Sequence, residues 1–320
     1  MTGVIELAVA IALAAGTAWL TTRAWRTRGP ITRLVASGAS ALLFLVVTAV
    51  SVAGLVGVYR LYVPHGEPVA AVTAQATPDQ LLVATRRVSG CTGCHSSSDN
   101  LPLDGGDTNF LARNGPGLGV LVAPNLTPVG PLKNWTDGEI VRAIREGIDR
   151  DGHPLLIMPS DAFHHLSDAD VSLLVAYLRS QPSVEHPTPP RDLNLLGLVL
   201  VGSGLFPTAE QPHINQPQAA PPAGATREYG QYLVDITGCR TCHGANLGGG
   251  TPGGFGPPAG PNLRAIVPTW PEGDFVRFFR TGSDPSGRRV DPTLMPWQDL
   301  GKAYTDDELR AIFAYLHALG

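Results

Sequence analysis

The sequence predicts a mainly α-helical protein in which two N-terminal transmembrane helices are followed by two small helical domains. Three observations lead to this prediction: two long apolar stretches near the N-terminus, one order of features that occurs twice afterwards, and no long alternation of apolar and polar residues typical of strands. We expect a hairpin anchor at 1–60, a linker at 61–78, a first domain at 79–190, an apolar and proline-rich linker at 191–226, and a second domain at 227–320.

The two N-terminal stretches match membrane spans in length and composition. Residues 4–22 are apolar apart from Glu6, and residues 34–58 contain no charged residue. The loop between them carries Arg23, Arg26, Arg28 and Arg33. Because arginine-rich loops stay in the cytoplasm, we expect two spans of the cytoplasmic membrane, with both termini and both helical domains on the periplasmic or extracellular side. A cleaved signal peptide is the alternative for the first stretch, although no basic residue precedes it.

Charge narrows the classes of partner. The formal net charge is −4, and the chain from residue 60 onwards contains 19 basic and 26 acidic residues. No basic run exists outside the arginine loop, so we expect no nucleic-acid partner. An acidic surface suits a protein partner with a basic docking patch, and it can equally remain solvated.

The two domains repeat one order of features. Helical patterns at residues 80–87 and 229–236 each lead into a Cys-x-x-Cys-His motif. Pro-Asn-Leu follows at residues 124–126 and again at 261–263. A segment that starts with Trp then begins a second helix, and a closing helix ends each domain. The chain therefore reads as two copies of one module.

Capping residues predict where these helices begin. Thr136 with Glu139 forms a capping box, and Pro271 is expected in the first turn of the corresponding helix of the second domain. Ser167 and Thr305 are the predicted N-caps of the closing helices. Apolar stripes on the closing helices are expected to be core: Val171, Leu174, Val175, Leu178, Leu309, Ile312, Phe313 and Leu316.

Proline-rich connectors join the two domains. Residues 182–190 and 207–222 are rich in proline and are expected to be extended. Between them, residues 195–206 are apolar but too short to span a bilayer. We expect this segment to dock between domains or at the membrane surface.

All four cysteines belong to the two Cys-x-x-Cys-His motifs, at residues 91–95 and 239–243. Two thiols at this spacing reach both vinyl groups of one porphyrin, and the adjacent histidine then lies under the iron. The motifs therefore predict two covalently attached haem c groups, held by Cys91, Cys94 and His95 and by Cys239, Cys242 and His243. A structural zinc site or a redox dithiol is the alternative. Zinc favours two cysteine pairs about 12–20 residues apart, whereas Cys94 and Cys239 are 145 residues apart.

The sixth iron ligands are predicted to be Met158 and Met295. Apart from the initiator these are the only methionines, and each precedes a proline shortly before the closing helix of its domain. They lie 63 residues after His95 and 52 after His243. Histidine at the sixth position is the alternative, with the candidates His153, His164, His165 and His317. His/Met coordination raises the reduction potential and leaves no open position on the iron for a substrate.

With these residues in place, each domain resembles the class I cytochrome c fold. Residues 124–128, 135–139, 145–152, 158–159 and 166–171 are similar to the multihaem cytochrome subunits of membrane-bound alcohol, gluconate and aldehyde dehydrogenases. The resemblance implies two class I cytochrome c domains that take electrons from a catalytic subunit and pass them to a respiratory acceptor. Those subunits usually carry three haems and lack an N-terminal pair of spans. The haem count and anchor are instead similar to the dihaem subunit of high-affinity haem-copper oxidases.

The resemblance also implies a contact between the first and closing helices. In the family the closing helix packs against a glycine on the first helix. Gly230 matches that glycine in the second domain, and the aligned residue in the first domain is Leu82. We therefore expect a looser or shifted crossing in the first domain.

These features favour an electron carrier, with no catalytic residue predicted. Its expected partners are the membrane, the other subunits of a redox complex, and a redox donor and acceptor. The donor would be a dehydrogenase or a respiratory or photosynthetic complex. A dihaem peroxidase is the enzyme alternative, and it would need one iron open to peroxide with an acid or base beside it. A haem gas sensor is the binding-module alternative, and it would need signalling machinery that the arginine loop is too short to hold.

Overall fold

The computed structural model describes residues 2–26, 29–69, 71–112, 117–250 and 259–320. In these residues the helices of the first part of the chain are α1 (Thr2–Ala24), α2 (Pro30–Tyr62), α3 (Pro78–Val88), α4 (Thr92–His95), α5 (Asp137–Glu146), α6 (Ser160–Phe163) and α7 (Asp168–Ser180). Those of the remainder are α8 (Leu195–Gly202), α9 (Arg227–Ile236), α10 (Cys239–His243), α11 (Leu263–Ile266), α12 (Glu272–Thr281), α13 (Trp297–Ala303) and α14 (Asp306–His317). Two short strands are present, β1 (Gly119–Val120) and β2 (Asp192–Leu193). The predicted mainly α fold is confirmed.

The chain divides into two compact units. Unit 1 comprises Met1–His65, Thr108–Val122 and Pro189–Thr208, and unit 2 comprises Gly66–Asp107, Ala123–Thr188 and Ala209–Gly320. Unit 1 thus combines the N-terminal helices with two later segments. Unit 2 contains both Cys-x-x-Cys-His motifs.

In unit 1, α1 and α2 are two long apolar helices that pack along each other. Their most apolar parts, Thr2–Arg23 and Arg33–Tyr62, are long and apolar enough to cross a membrane, and a signal sequence near the N-terminus has the same properties. Of the four predicted loop arginines, Arg23 lies in the last turn of α1, Arg26 follows α1 and Arg33 lies near the start of α2. Arg28 lies outside the described residues.

The later segments of unit 1 pack against this helix pair. Strands β1 and β2 pair antiparallel, with Gly119 opposite Leu193. After β2, residues 195–202 of the apolar segment at 195–206 form α8, with Asn194 as its N-cap. Helix α8 packs against both α1 and α2.

Unit 2 contains two helical modules, the first from α3 to α7 and the second from α9 to α14. Their predicted helix starts are largely confirmed. Thr136 and Glu139 form a capping box, Ser167 caps α7, and Thr305 forms a capping box with Glu308. Pro271 was placed wrongly by one position: its backbone is extended (φ −62°, ψ 143°), so it is the N-cap and α12 begins at Glu272.

The predicted apolar stripes form the cores of the modules. Val171, Val175, Leu309, Ile312 and Leu316 are at most 5% exposed. Helix α7 packs against α3, and α14 packs against α9. Each closing helix therefore crosses the helix that precedes its module's cysteine motif.

The two crossings use different faces of the first helix. At Gly230 a Cβ would overlap the backbone carbonyl oxygen of Ala311, so α9 and α14 touch backbone to backbone. Leu82 is 66% exposed, whereas Ala84 is 1% exposed and packs in the core of the first module, called the first core below. A 3-10 turn at Ser89–Cys91 also separates α3 from α4 in the first module.

The two modules of unit 2 pack in a crossed manner. Helix α6, which follows Met158, contacts α9, the helix that leads into the second motif. Helix α13, which follows Met295, contacts α3 and the 3-10 turn that lead into the first motif. Thr241 Oγ1, inside the second motif, donates a hydrogen bond to Asp161 Oδ2 on α6 at 3.2 Å. Each methionine segment thus lies beside the cysteine motif of the other module.

Candidate functional site

The second Cys-x-x-Cys-His motif forms the short helix α10, which follows α9 after Gly238 in a left-handed conformation (φ 74°). Arg240, inside the motif, holds α10 in place. Its Nε donates to Asp235 Oδ1 at 2.7 Å, and its Nη2 donates to the Tyr315 hydroxyl at 2.9 Å. Cys239 packs against the second core, and His243 is 7% exposed.

The first motif spans the 3-10 turn and α4. Thr92, inside the motif, is buried, and Cys91 packs against the first core. His95 is half-buried and Cys94 is exposed. The cysteine nearest the core therefore holds the corresponding position in both motifs.

Both motif histidines make the same hydrogen bond. His95 Nδ1 lies 2.9 Å from the carbonyl oxygen of Pro124, and His243 Nδ1 lies 2.8 Å from the carbonyl oxygen of Pro261. A carbonyl can only accept, so Nδ1 carries the proton and the lone pair of Nε2 is free to bind a metal. Burial lowers the pKa of both imidazoles more than this hydrogen bond raises it. The neutral form, which coordinates metals, is favoured.

The loop after each histidine is closed by matching backbone hydrogen bonds. Gly105 N–H donates to the His95 carbonyl at 2.8 Å, and Gly249 N–H donates to the His243 carbonyl at 2.9 Å. In each Pro-Asn-Leu the leucine N–H donates to the carbonyl of a fully buried leucine: Leu126 to Leu103, and Leu263 to Leu247. The repeated Pro-Asn-Leu was visible in the sequence, but the role of its proline carbonyl was not.

The two predicted methionines occupy equivalent turns. Met158 O accepts from Ser160 N at 2.8 Å, and Met295 O accepts from Trp297 N at 2.7 Å. The prolines between them have nearly the same conformation (φ −78°, ψ 54° and φ −77°, ψ 53°). Met295 packs on the same core as Cys239, and Met158 is half-buried. Beside Met158, the buried Ser160 Oγ has no hydrogen-bond partner among the described residues.

The alternative histidine ligands have other contacts. His153 N donates to Asp149 Oδ1 at 2.9 Å in a tight loop. The same contact recurs in the second module, where Arg288 N donates to Asp284 Oδ1 at 3.0 Å.

The remaining histidines also lie in structural contacts. His164 Nδ1 is 3.1 Å from the Arg145 carbonyl, and its ring lies edge-on to that of His165. The ring of His317 lies 5.2 Å from that of Phe313.

The cysteines suit covalent attachment better than redox exchange. All four are free of disulfides. Burial raises the pKa of the Cys91 and Cys239 thiols to about 12, whereas exchange of disulfides requires a thiolate. At Gly260 a Cβ would lie 2.6 Å from His243 Nδ1, so only glycine lets the chain pass this ring. Thiols that form no disulfide, beside an imidazole with a fixed Nδ1 proton, are the donor set that a haem c requires.

Comparison with known proteins identifies the second module. Residues 228–320 match the protein family described as Cytochrome c. The chain contains a cytochrome c domain. This match covers the second motif with α9 to α14, and it implies covalently bound haem c.

Relatives extend the likeness to most of the chain. It is 30% identical over 256 residues to one of the subunits of nicotinate dehydrogenase from Pseudomonas putida, covering 72% of this chain and 20% of that protein. It is 25% identical over 249 residues to the fructose dehydrogenase cytochrome subunit of Gluconobacter japonicus, covering 72% and 50%. It is 26% identical over 250 residues to a diheme cytochrome c-type protein of Cereibacter sphaeroides, covering 71% and 81%. The chain thus spans a fifth of the length of the nicotinate dehydrogenase subunit and half of the length of the fructose dehydrogenase cytochrome subunit.

These matches confirm the predicted resemblance to cytochrome subunits of dehydrogenases. The cytochrome c domain carries electrons, and the relatives named as cytochromes are electron carriers. The cytochrome c domain and the names of these relatives support an electron-transfer role.

Proposed function

We propose that the chain is a membrane-anchored dihaem cytochrome c that relays electrons between a partner dehydrogenase, or another respiratory complex, and an acceptor. The observation that carries this proposal is the common framework of the two motifs, in which His95 and His243 each bond through Nδ1 to a proline carbonyl. Each haem supplies one reversible electron-storing centre. The name of the diheme relative supports the count of two.

In this proposal Cys91 and Cys94 attach the first haem, with His95 and Met158 as iron ligands. Cys239 and Cys242 attach the second, with His243 and Met295 as ligands. The matching turns around the two methionines support their common role. With both axial positions taken by protein, each site is suited to holding an electron, whereas a peroxidase needs an open iron.

The crossed packing of the modules supports transfer within the chain. Asp161 lies three residues after Met158 and bonds to Thr241 in the second motif. The residues that would hold the two haems therefore lie on elements that contact each other, which suits transfer between the two sites.

The ligand assignment is tested by Met158→Ala and Met295→Ala. Each variant is expected to lose the methionine-to-iron charge-transfer band of one ferric haem and to lower the midpoint potential of that haem. The other haem serves as the internal control. An unchanged band and potential in either variant would show that the corresponding methionine is not a ligand.

We propose that α1 and α2 span the cytoplasmic membrane, with the arginine loop in the cytoplasm and both modules outside. Contacts of α1 support its retention. Thr2 Oγ1 donates to Asp192 Oδ2 at 2.7 Å, and Glu6 Oε2 accepts from Leu195 N at 2.6 Å. The intact mass of the purified protein is expected to include residues 2–24, and protease added to spheroplasts is expected to remove the haem modules.

The partner is proposed from the relatives. Two of them are named as parts of nicotinate and fructose dehydrogenases, which supports a dehydrogenase as electron donor here. Mild solubilisation of membranes, followed by affinity purification of the full chain, is expected to recover a catalytic dehydrogenase subunit. Recovery with an oxidase alone would replace the dehydrogenase as the proposed partner.

A further inference from the structure

Helix α8 is apolar on all sides although only part of its surface is packed. Its sequence, residues 195–202, contains only leucine, valine and glycine. Leu198 and Val201 are each 1% exposed, whereas Leu196 is 43% exposed and the nearby Leu205 is 66% exposed. A helix that is apolar all round belongs in a protein core or in a membrane.

Helices α8 and α2 pack backbone against backbone at two glycines. A Cβ at Gly57 would overlap the carbonyl oxygen of Leu198, and a Cβ at Gly202 would overlap that of Ala53. Ala53 lies nine residues before the end of α2 at Tyr62, which is about 14 Å along the helix axis. Close approach through small residues is typical of helix pairs in membranes. Helix α8 therefore lies alongside the last turns of a predicted span.

Backbone N–H groups at the N-terminal end of α8 donate to side chains inside unit 1. Leu195 N–H donates to Glu6 Oε2 at 2.6 Å, and Gly197 N–H donates to Asn194 Oδ1 at 3.0 Å. Glu6, the single acid of the first apolar stretch, thus accepts a hydrogen bond from the first residue of α8.

Carbonyl oxygens at the C-terminal end of α8 also accept hydrogen bonds. Leu200 O accepts from Phe206 N at 3.0 Å, and Val201 O accepts from Arg60 Nη1 at 3.1 Å. Hydrocarbon offers no water to helix ends, so partners of this kind are what an element in contact with lipid requires.

Aromatic and basic residues surround the same level of α2. Tyr59 is 63% exposed, and Arg191 lies 5.5 Å from the centre of the Tyr62 ring. Arg191 also donates from Nη2 to the Leu61 carbonyl at 3.1 Å. Tyrosine and arginine concentrate at the boundary between headgroups and acyl chains.

From these contacts we propose that α8 is a third membrane element, lying in the outer leaflet with Leu196 and Leu205 against the acyl chains near the headgroups. The occupant of this apolar surface is lipid. The inference rests on the proposed span of α1 and α2 and goes beyond it. The first module, α3 to α7, would then be preceded in the sequence by the span α2 and followed by the membrane element α8.

The test is labelling of native membranes, containing the full chain, with a membrane-dissolved aryl diazirine, followed by peptide mass spectrometry. Leu82 on α3 offers a matched control, because Leu82 and Leu205 are both 66% exposed. We expect several-fold more label in the peptide with residues 195–206 than in that with Leu82. Residues 41–50 of α2 report separately on the span.

The outcomes separate the two proposals. Label in residues 41–50 but only control-level label in 195–206 would overturn the inference and leave the hairpin intact. Labelling of residues 195–206 in the detergent-purified chain but not in native membranes would mean that a partner protein covers α8 in the cell. That result would also overturn the inference. Absence of label from both segments would remove the proposed span and the inference together.

Discussion

Arg87 and Glu308 form an ion pair that joins the two modules, with Nη2 2.5 Å from Oε1. Their side chains are only 17% and 14% exposed. The Arg87 guanidinium also lies 4.5 Å from the centre of the Tyr304 ring. Burial lowers the pKa of Arg87, but the neighbouring Tyr304 and Glu308 raise it above its usual value, so Arg87 stays charged. Because Arg87 is four residues before Cys91, this pair fixes the first motif relative to the second module.

Glu308→Gln is expected to weaken the contact between the modules. The glutamine side chain can still serve the capping box with Thr305, but Arg87 keeps a largely buried charge without its partner. We expect the free energy of unfolding to fall by about 1–3 kcal/mol, measured by urea denaturation of the detergent-solubilised protein.

Asp307→Asn is the matched control on the same helix. Asp307 is 77% exposed and pairs with Arg310 at 2.6 Å. An exposed pair of this kind contributes less than about 1 kcal/mol. Equal losses in the two variants would show that the Arg87 contact adds nothing to stability.

Gly230→Ala is expected to separate α9 from α14. The new Cβ would meet the Ala311 carbonyl, which is backbone and cannot rotate away. We expect a loss of about 1–3 kcal/mol from overpacking, although alanine favours a helix by up to ~1 kcal/mol. Leu82→Ala, at the position aligned with Gly230, should change stability by less than about 0.5 kcal/mol because Leu82 is exposed. A larger effect at Leu82 would contradict the shifted crossing.

The loop after His95 should make the stability of the protein fall at acid pH through the titration of Asp104. Burial raises the pKa of Asp104, but hydrogen bonds from Ser97 N and Oγ and the charge of His186 hold it below its usual value. A carboxyl with a depressed folded pKa stabilises the protein above about pH 4, and this stability is lost as the pH falls through the folded pKa. Asp104→Asn should therefore lower the Tm more at pH 6 than at pH 3.

Ser97→Ala provides the complementary measurement for this loop. Without the Ser97 hydroxyl the pKa of Asp104 should move up towards its usual value, which shifts this loss of stability to higher pH. A Tm difference between wild type and Asp104→Asn that is constant from pH 3 to pH 6 would contradict this assignment.

Local signals in the sequence were enough to predict much of the fold. Thr136, Ser167 and Thr305 cap helices because each side chain bonds within one turn of its own helix. The burial of Ala84 and the exposure of Leu82 could not be predicted, because they depend on how α3 packs in the folded module.

Long-range contacts at the site also escaped prediction. The Pro124 carbonyl reaches His95 across 29 residues, and a carbonyl has no sequence signature. Likewise, the pairing of Arg87 with Glu308 spans 221 residues and follows from how the modules pack. The identities of the motif residues were predictable because covalent haem attachment fixes their spacing.

The most direct test of the account is a spectroscopic redox titration of the purified full chain combined with its intact mass. We predict the mass of the polypeptide plus two haems, two one-electron steps, and no binding of carbon monoxide to the reduced protein. The double variant Cys91→Ser with Cys94→Ser should lose one haem and one step and keep the other. A single haem in the wild type, or rapid carbon monoxide binding, would contradict a relay through two closed sites.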